Sequence, residues 1–449
     1  MSEPSPRAAV PPPGMSTFFT LWVSQSGSLI GTMVSLFAIN IWQATVLYPR
    51  ADQKPQLAAS LAVTSIAFAI PTVFGAPLAG AYADRHDRRR LMIAANLVSA
   101  GVSAVLIAML ASGRVGVAGA AALIALYALA GAFHSAAFDA SYVMLVPADH
   151  LPRANAMMTT SQALSGLVAP GLAAALITLP RLLASHGGAP AALARRLPNG
   201  VPLAIGFDLV TFLAAALVLA SLHVPSPPAR GPRDRSLARD LTVGWGYLAR
   251  QPALLWLLSM FALANLAGAF YLILAPLMVR FTYMIRGTAM GLSYEPAYAM
   301  LSTIGSLGGV AGGVLLAAWG GLRRRRVLGV VGGMMLLAVF QVGFGLAPTL
   351  LLACVFSALF QGTIPMLNSH SATLWQTRTP PELQGRVFAT RRMVAQGTLP
   401  IGTALAGLLA TRLDPGRMLV VLGVILAVFT AAMFANRALM TIEDTPPPV

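Results

Sequence analysis

The chain has 449 residues, of which 57% are apolar and only 10% charged, with a mean hydropathy of +0.74; an average soluble domain carries about 25% charged residues. That balance excludes a soluble multidomain enzyme, a disordered chain and a coiled coil, because the apolar residues come in long blocks. The net charge of +16, from 30 basic and 14 acidic residues, does not point to nucleic acid either. The cations sit in short clusters between apolar blocks, where the anionic headgroups of a bilayer are their natural partners.

Residues 1–15 are Pro-rich and are expected to form a disordered tail. Twelve blocks follow, each long enough to cross a hydrocarbon core. They lie near 18–47, 56–83, 91–112, 116–146, 155–179, 201–222, 253–282, 295–320, 327–346, 348–374, 393–411 and 418–436. The first block has no small-residue cleavage site after a short core, so it reads as a retained span and not as a signal peptide. The second contains Pro71, Gly75 and Pro77, which soluble helices rarely tolerate and packed membrane helices do. The expected fold is all-α, a polytopic membrane protein with twelve transmembrane helices in two pseudo-symmetric six-helix bundles.

Between blocks two and three stands Gly80-AYA-Asp84-Arg85-HD-Arg88-Arg89-Arg90. Gly80 and Asp84 are one turn apart and share a helix face; Gly permits close helix approach. Asp84 at the membrane edge is placed to accept from the unpaired N–H groups of a neighbouring helix, and Arg88 to pair with a second carboxylate. A loop serving topology alone has no use for the Asp. Near its inner end block four carries His134-SAAF-Asp139. A carboxylate in lipid is costly, which makes Asp139 a functional candidate. The same H-x-x-x-x-D spacing occurs in acyltransferases, where His is a general base, but no catalytic domain accompanies it here. Block five carries Ser165-GLV-Ala169-Pro170-Gly171, small residues for packing and a proline to bend the helix. In block six Asp208 lies about two turns from one end, a candidate proton carrier alongside His134. Glu295 opens block eight.

The longest linker, 223–251, begins Pro-rich (PSPPARGPR) and turns amphipathic (SLARDLTVGWGYLARQP). It divides the chain into units 16–222 and 252–436, with a tail at 437–449. A weak repeat agrees with the division: shifted by 233 residues, Pro147, Asp149, Arg153 and Ala156 meet Pro380, Glu382, Arg386 and Ala389, and the Arg88–Arg90 cluster has a counterpart at Arg323–Arg326. With the N-terminus inside, twenty cations fall on the inner side and ten on the outer. The positive-inside rule then predicts both termini in the cytoplasm; the expected location is the cell inner membrane.

The 80–90 loop resembles motif A of the major facilitator superfamily, with Asp87 where the family usually has Gly and a second-half counterpart lacking the Asp. The resemblance covers essentially the whole chain. The strings VPADHLPRANA (146–156) and PELQGRV (381–387) are similar to those of the drug:proton antiporter branch, which includes macrolide and enterobactin (siderophore) exporters. The 165–174 segment resembles the antiporter motif of that branch with Ser or Ala at several Gly positions. The resemblance implies a relay of Asp84, Arg88 and Asp139, with Gly80, Arg85 and Arg89 in the same motif, locking the outward-facing state against helix eleven. It also implies a central cavity lined by helices one, four, seven and ten. These offer Gln25, Thr32 and Asn40; Tyr127 and His134; Asn265 and Tyr271; and Gln361, Asn368 and His370.

The expected function is export of a small amphipathic molecule, a drug, an antibiotic or a siderophore-like metabolite, by alternating access in exchange for protons. The alternative is an integral-membrane, acyltransferase-like enzyme using His134 and Asp139. The expected partners are the small-molecule substrate, protons and the lipid bilayer, with no nucleic acid and a monomeric state. The one cysteine, Cys354, permits no intrachain disulfide, and neither a metal nor a cofactor is expected.

Overall fold

The computed structural model describes residues 15–147, 150–185, 199–222, 224 and 237–444. The expected disordered tail before Met15, Asp149 of the repeat, the Pro-rich part of the linker and the last five residues lie outside them. Among the described residues the secondary structure is helical, with no strand.

The helices are α1 (Met15–Trp42), α2 (Lys54–Ala83), α3 (Arg88–Ala111), α4 (Val117–Leu145), α5 (Leu151–Ser185), α6 (Val201–Ser221) and α7 (Leu237–Ala249). After them come α8 (Pro252–Met278), α9 (Tyr294–Trp319), α10 (Arg326–Leu346), α11 (Leu350–Arg378), α12 (Pro381–Ala410), α13 (Pro415–Phe434) and the short α14 (Arg437–Met440). Twelve of them, all but α7 and α14, are long and apolar enough to cross a membrane. Single π-turns at Gln43–Leu47 and Val279–Tyr283 extend α1 and α8.

Helix ends depart from hydropathy in an instructive way. The eleventh block was expected from 393, but α12 starts at Pro381. Arg386, Arg391 and Arg392 lower hydropathy without lowering helix propensity, since Arg is a good helix former, and proline suits the first turn. For the same reason α5 runs longer at both ends than its apolar block.

Packing repeats within each half. In the first, α1 lies against α5 and α6, α3 against α4 and α6, and α2 against α4. In the second, α8 lies against α12 and α13, α10 against α11 and α13, and α9 against α11. Adding seven to each label converts one pattern into the other. The halves meet along two seams, α2 on α12 and α5 on α9.

Lipid leaves no hydrophobic force between helices, so close contact decides the packing. A Cβ on Gly308 or Gly312 of α9 would lie 2.1 Å from the backbone oxygens of Ala358 and Gly362 of α11. Large apolar side chains instead face outward, Leu78, Val314 and Leu408 among them. The amphipathic part of the linker is α7. It docks on the second half, where Tyr247 Oη donates to the Arg378 carbonyl at 2.6 Å and Gly244 sits against Thr390. One face of the bundle, here the termini face, carries the α2–α3, α4–α5, α9–α10 and α11–α12 turns. The opposite face is the far face.

Candidate functional site: a buried carboxylate and the seam between the halves

Asp208, on α6, is fully buried in the first half. Its Oδ2 accepts from Ser35 Oγ of α1 at 2.8 Å, Tyr127 Oη of α4 at 3.0 Å and Ser103 Oγ of α3 at 3.5 Å. Its Oδ1 has no hydrogen-bond partner and lies beside Gly31, where a Cβ would come within 2.8 Å. No Arg or Lys among the described residues forms a salt bridge with it. A cavity of about 20 Å³ adjoins it, walled mainly by Leu36, Ile39, Val102, Leu106, Ile124 and Ile205, room for a single water.

The hydrogen bonds around Asp208 admit either charge state. Tyr127 has one hydroxyl proton and two acceptors in range, Asp208 and Thr32 Oγ1 at 2.8 Å. Thr32 in turn donates to the Ser28 carbonyl at 3.0 Å. With Asp208 ionised, Tyr127 points at it. With Asp208 protonated, only the Asp208–Tyr127 bond reverses: Asp208 donates to Tyr127, Tyr127 turns its proton to Thr32, and Thr32 still donates to the backbone. Neither state leaves a hydroxyl proton unpaired, and such networks can switch without loss of hydrogen bonds.

The far face is closed by contacts between the halves. Arg181 of α5 pairs with the buried Glu295 of α9 at 3.0 Å. Phe37 of α1 stacks on Tyr298 of α9 at 4.5 Å between centroids. Lys54 donates to the Leu413 carbonyl at 2.7 Å, and Arg280 to the Pro49 carbonyl. On the α2–α12 seam, Gly407 is so close to Ala62 that a Cβ would fall 2.2 Å from the alanine methyl.

The α5–α9 seam contains a bond that a proline makes necessary. Pro170 has no N–H, so the carbonyl four residues earlier, on Gly166, loses its helical donor. Ser306 Oγ of α9 supplies one at 2.9 Å. Ala169 and Pro170 are buried, Gly171 is exposed with open space where a Cβ would stand, and Ser165 Oγ returns to the Gln162 carbonyl.

At the termini face, the 80–90 loop laces three helices of the first half. Asp87 caps α3, accepting from Arg90 N–H at 3.0 Å. Arg88 is buried. It donates to the Ala140 carbonyl of α4 at 2.8 Å and touches Asp84 Oδ1 at 3.4 Å. Arg89 donates to the last-turn carbonyls of α6, Leu219 at 2.8 Å and Ala220. Both arginines therefore satisfy carbonyls near helix C-termini, where positive charge is favoured. The expected relay is present only in its first link. Asp139 is exposed, and Arg88 bonds the neighbouring backbone instead, because the helical phase of α4 turns the Asp139 side chain away. Arg85 is exposed, Asp84 is largely exposed at the end of α2, and open space surrounds Gly80, so no helix approaches it closely in this state.

The expected cavity residues do not form one group. Thr32 and Tyr127 join Asp208. Asn40 lies within hydrogen-bond reach of Tyr298 across the seam. Gln25 is buried beside Ser24. Tyr271 bonds Ser357 at 2.6 Å within the second half and stacks on Phe360. Asn265 reaches the Ala395 carbonyl of α12 at 2.9 Å. Gln361 is half-buried and packs on Gly305 and Gly309 of α9; Asn368 is exposed. His134 is half-buried and stacks on Phe138, its Nε2 unpartnered. His370 is buried against the α9–α10 turn. Ser35, Ser103, Ser306 and the Phe37–Tyr298 stack escaped the sequence reading. Only helical phase distinguishes such residues from the many other polar and aromatic side chains in the spans.

Two repeated six-helix units, sealed together at one face with a hydroxyl-bonded carboxylate buried inside one of them, are the build of a multi-pass membrane carrier. The sequence pattern of the Major Facilitator Superfamily matches residues 21–403, and the chain belongs to that superfamily. It is 24% identical over 400 residues to macrolide efflux protein A of Streptococcus pyogenes, with 88% of this chain and 90% of that protein aligned. It is 24% identical over 346 residues to macrolide efflux protein A of Enterococcus faecalis, with 76% and 98% aligned. Among solved structures it resembles a bacterial homologue of the human lysosomal transporter Spinster (TM-score 0.68, 13% identity, 98% of this chain and 100% of that one). It also resembles the D-xylose-proton symporter (TM-score 0.65, 13% identity, 96% and 99%). The chain is thus a transporter of small molecules and not an enzyme, which removes the acyltransferase reading of His134 and Asp139.

Proposed function

We propose that this transporter exports a small amphipathic molecule, a macrolide-like antibiotic or a siderophore-like metabolite, across the inner membrane in exchange for protons, with both termini in the cytoplasm. The observation that carries proton coupling is the Asp208 cluster: a fully buried carboxyl, with no cation paired to it among the described residues, whose hydroxyl partners accommodate both charge states. The distribution of arginine supports the orientation, with the far face outward. The 24% identity to macrolide efflux proteins supports the direction and the substrate class. In this reading the described state is closed to the outside. Opening the far face lets protons reach Asp208, and protonation biases the equilibrium only because its free energy differs between the two states.

Everted membrane vesicles with an acidified lumen provide the test. Uphill uptake of a radiolabelled macrolide should follow the imposed pH gradient and collapse with a protonophore. Asp208→Asn should abolish uphill uptake while preserving downhill equilibration. Uptake indifferent to the gradient, or an Asn variant that still concentrates substrate, would overturn proton exchange through Asp208.

A further inference from the structure

We propose that the α9–α10 turn forms a binding pocket for the phosphate of an anionic phospholipid headgroup, and that Glu443 of the C-terminal tail is its built-in competitor. The pocket has a volume of about 550 Å³ and is lined by Arg323, Arg324, Arg325, Leu328, Glu443 and Asp444, among others. Among the described residues none of the three arginines forms a salt bridge, although all are exposed.

The turn is held in shape. Gly320 and Gly321 have φ of +81° and +69°, and Arg325 has φ of +56°, a left-handed conformation that a non-glycine residue adopts at a cost. His370 fixes the middle: its Nδ1 donates to the Met366 carbonyl at 2.8 Å, so its Nε2 is free to accept from Leu322 N–H at 2.9 Å. The arginines are therefore presented by an ordered backbone and not by a loose loop.

An anion already occupies part of the pocket. Glu443 Oε2 accepts from Val327 N–H in the first turn of α10 at 3.0 Å, where a helix N-terminus favours negative charge. The tail carboxylate marks where a ligand oxygen would sit. A lipid is the occupant the position selects. The turn joins the ends of two spans, and the exposed Trp319 closes α9 beside it, as aromatic side chains do at headgroup level. Clustered arginines at that depth attract anionic headgroups at about 1 kcal/mol per charge, and the guanidinium fork matches phosphate geometry.

Native mass spectrometry of the full-length protein in detergent, titrated with phosphatidylglycerol and with phosphatidylcholine of the same chains, tests the assignment. Phosphatidylglycerol should be retained at least about tenfold more tightly. The triple variant Arg323→Gln, Arg324→Gln, Arg325→Gln should lose the preference, and Arg412→Gln on the far face should keep it. Glu443→Gln, which removes the competing charge and keeps the side-chain shape, should bind phosphatidylglycerol several-fold more tightly. Equal retention of the two lipids, or a preference that survives the triple variant, overturns the pocket. Unchanged or weaker retention by Glu443→Gln overturns the competition. Complete displacement of the lipid by sub-millimolar inorganic phosphate would make free phosphate the ligand and overturn the lipid assignment.

Discussion

Arg88, Arg89 and Arg90 are consecutive and chemically identical, yet they do three different things. Arg88 is buried against α4, Arg89 caps α6, and Arg90 stays in solvent with a loose 3.8 Å pairing to Asp87. A charge-assisted bond to orphan carbonyls contributes roughly 1–2 kcal/mol; an exposed ion pair contributes little. Arg89→Gln should therefore lower the detergent melting temperature by several degrees while Arg90→Gln leaves it nearly unchanged. Fluorescence-detected size exclusion after heating distinguishes them, and equal melting of the two variants would contradict the capping role. The motif was legible in the sequence as a string, and so was the presence of Asp208 and Asp139 among very few acids. Their directions were not. A rotation of one residue about a helix axis, 100°, decides that Asp139 faces outward from Arg88 while Asp208 faces three hydroxyls, and in a helix apolar on all sides no periodicity records that phase.

At the level of helices, Pro170 is the clearest case of a local defect used by a distant partner. The carbonyl it strands on Gly166 is bonded across the α5–α9 seam by Ser306. Leaving it bare in a buried setting costs about 1–3 kcal/mol. Ser306→Ala should thus loosen the closed far face by about fivefold or more, read as faster maleimide labelling of a cysteine placed at Ala299, buried on the same seam, in a Cys354→Ala background. In Pro170→Ala, which restores the helical donor, the same serine change should have little effect. Additive effects of the two substitutions would refute the link, because uncoupled sites add. Hydropathy found every span, since crossing lipid demands some twenty apolar residues whatever the fold. It misplaced the start of α12 because arginine ends an apolar block without ending a helix, and no sequence signal tied Pro170 to Ser306, which are 136 positions apart.

For the whole molecule, alternating access requires seams that both close tightly and part. Gly407 on Ala62 is the closest glycine approach between the halves among the described residues. Gly407→Ala should hold the far face open and stop transport in protein that still inserts, and Ala62→Gly should restore both closure and transport in the double variant. Failure of that rescue, with the double variant correctly inserted, would show that the contact does not govern closure. The duplication was visible beforehand in only two loop segments; the packing now repeats it helix for helix, because a fold constrains which helices touch far more than which residues they carry. The single lysine gives the closed seam an unplanned property. Lys54 is the only side-chain amine in a chain of 449 residues, and its ammonium is held by Leu413 of the opposite half. An amine-reactive tag consequently has one side-chain target, and it sits at the rim of the closed seam, where a probe reports on that edge alone.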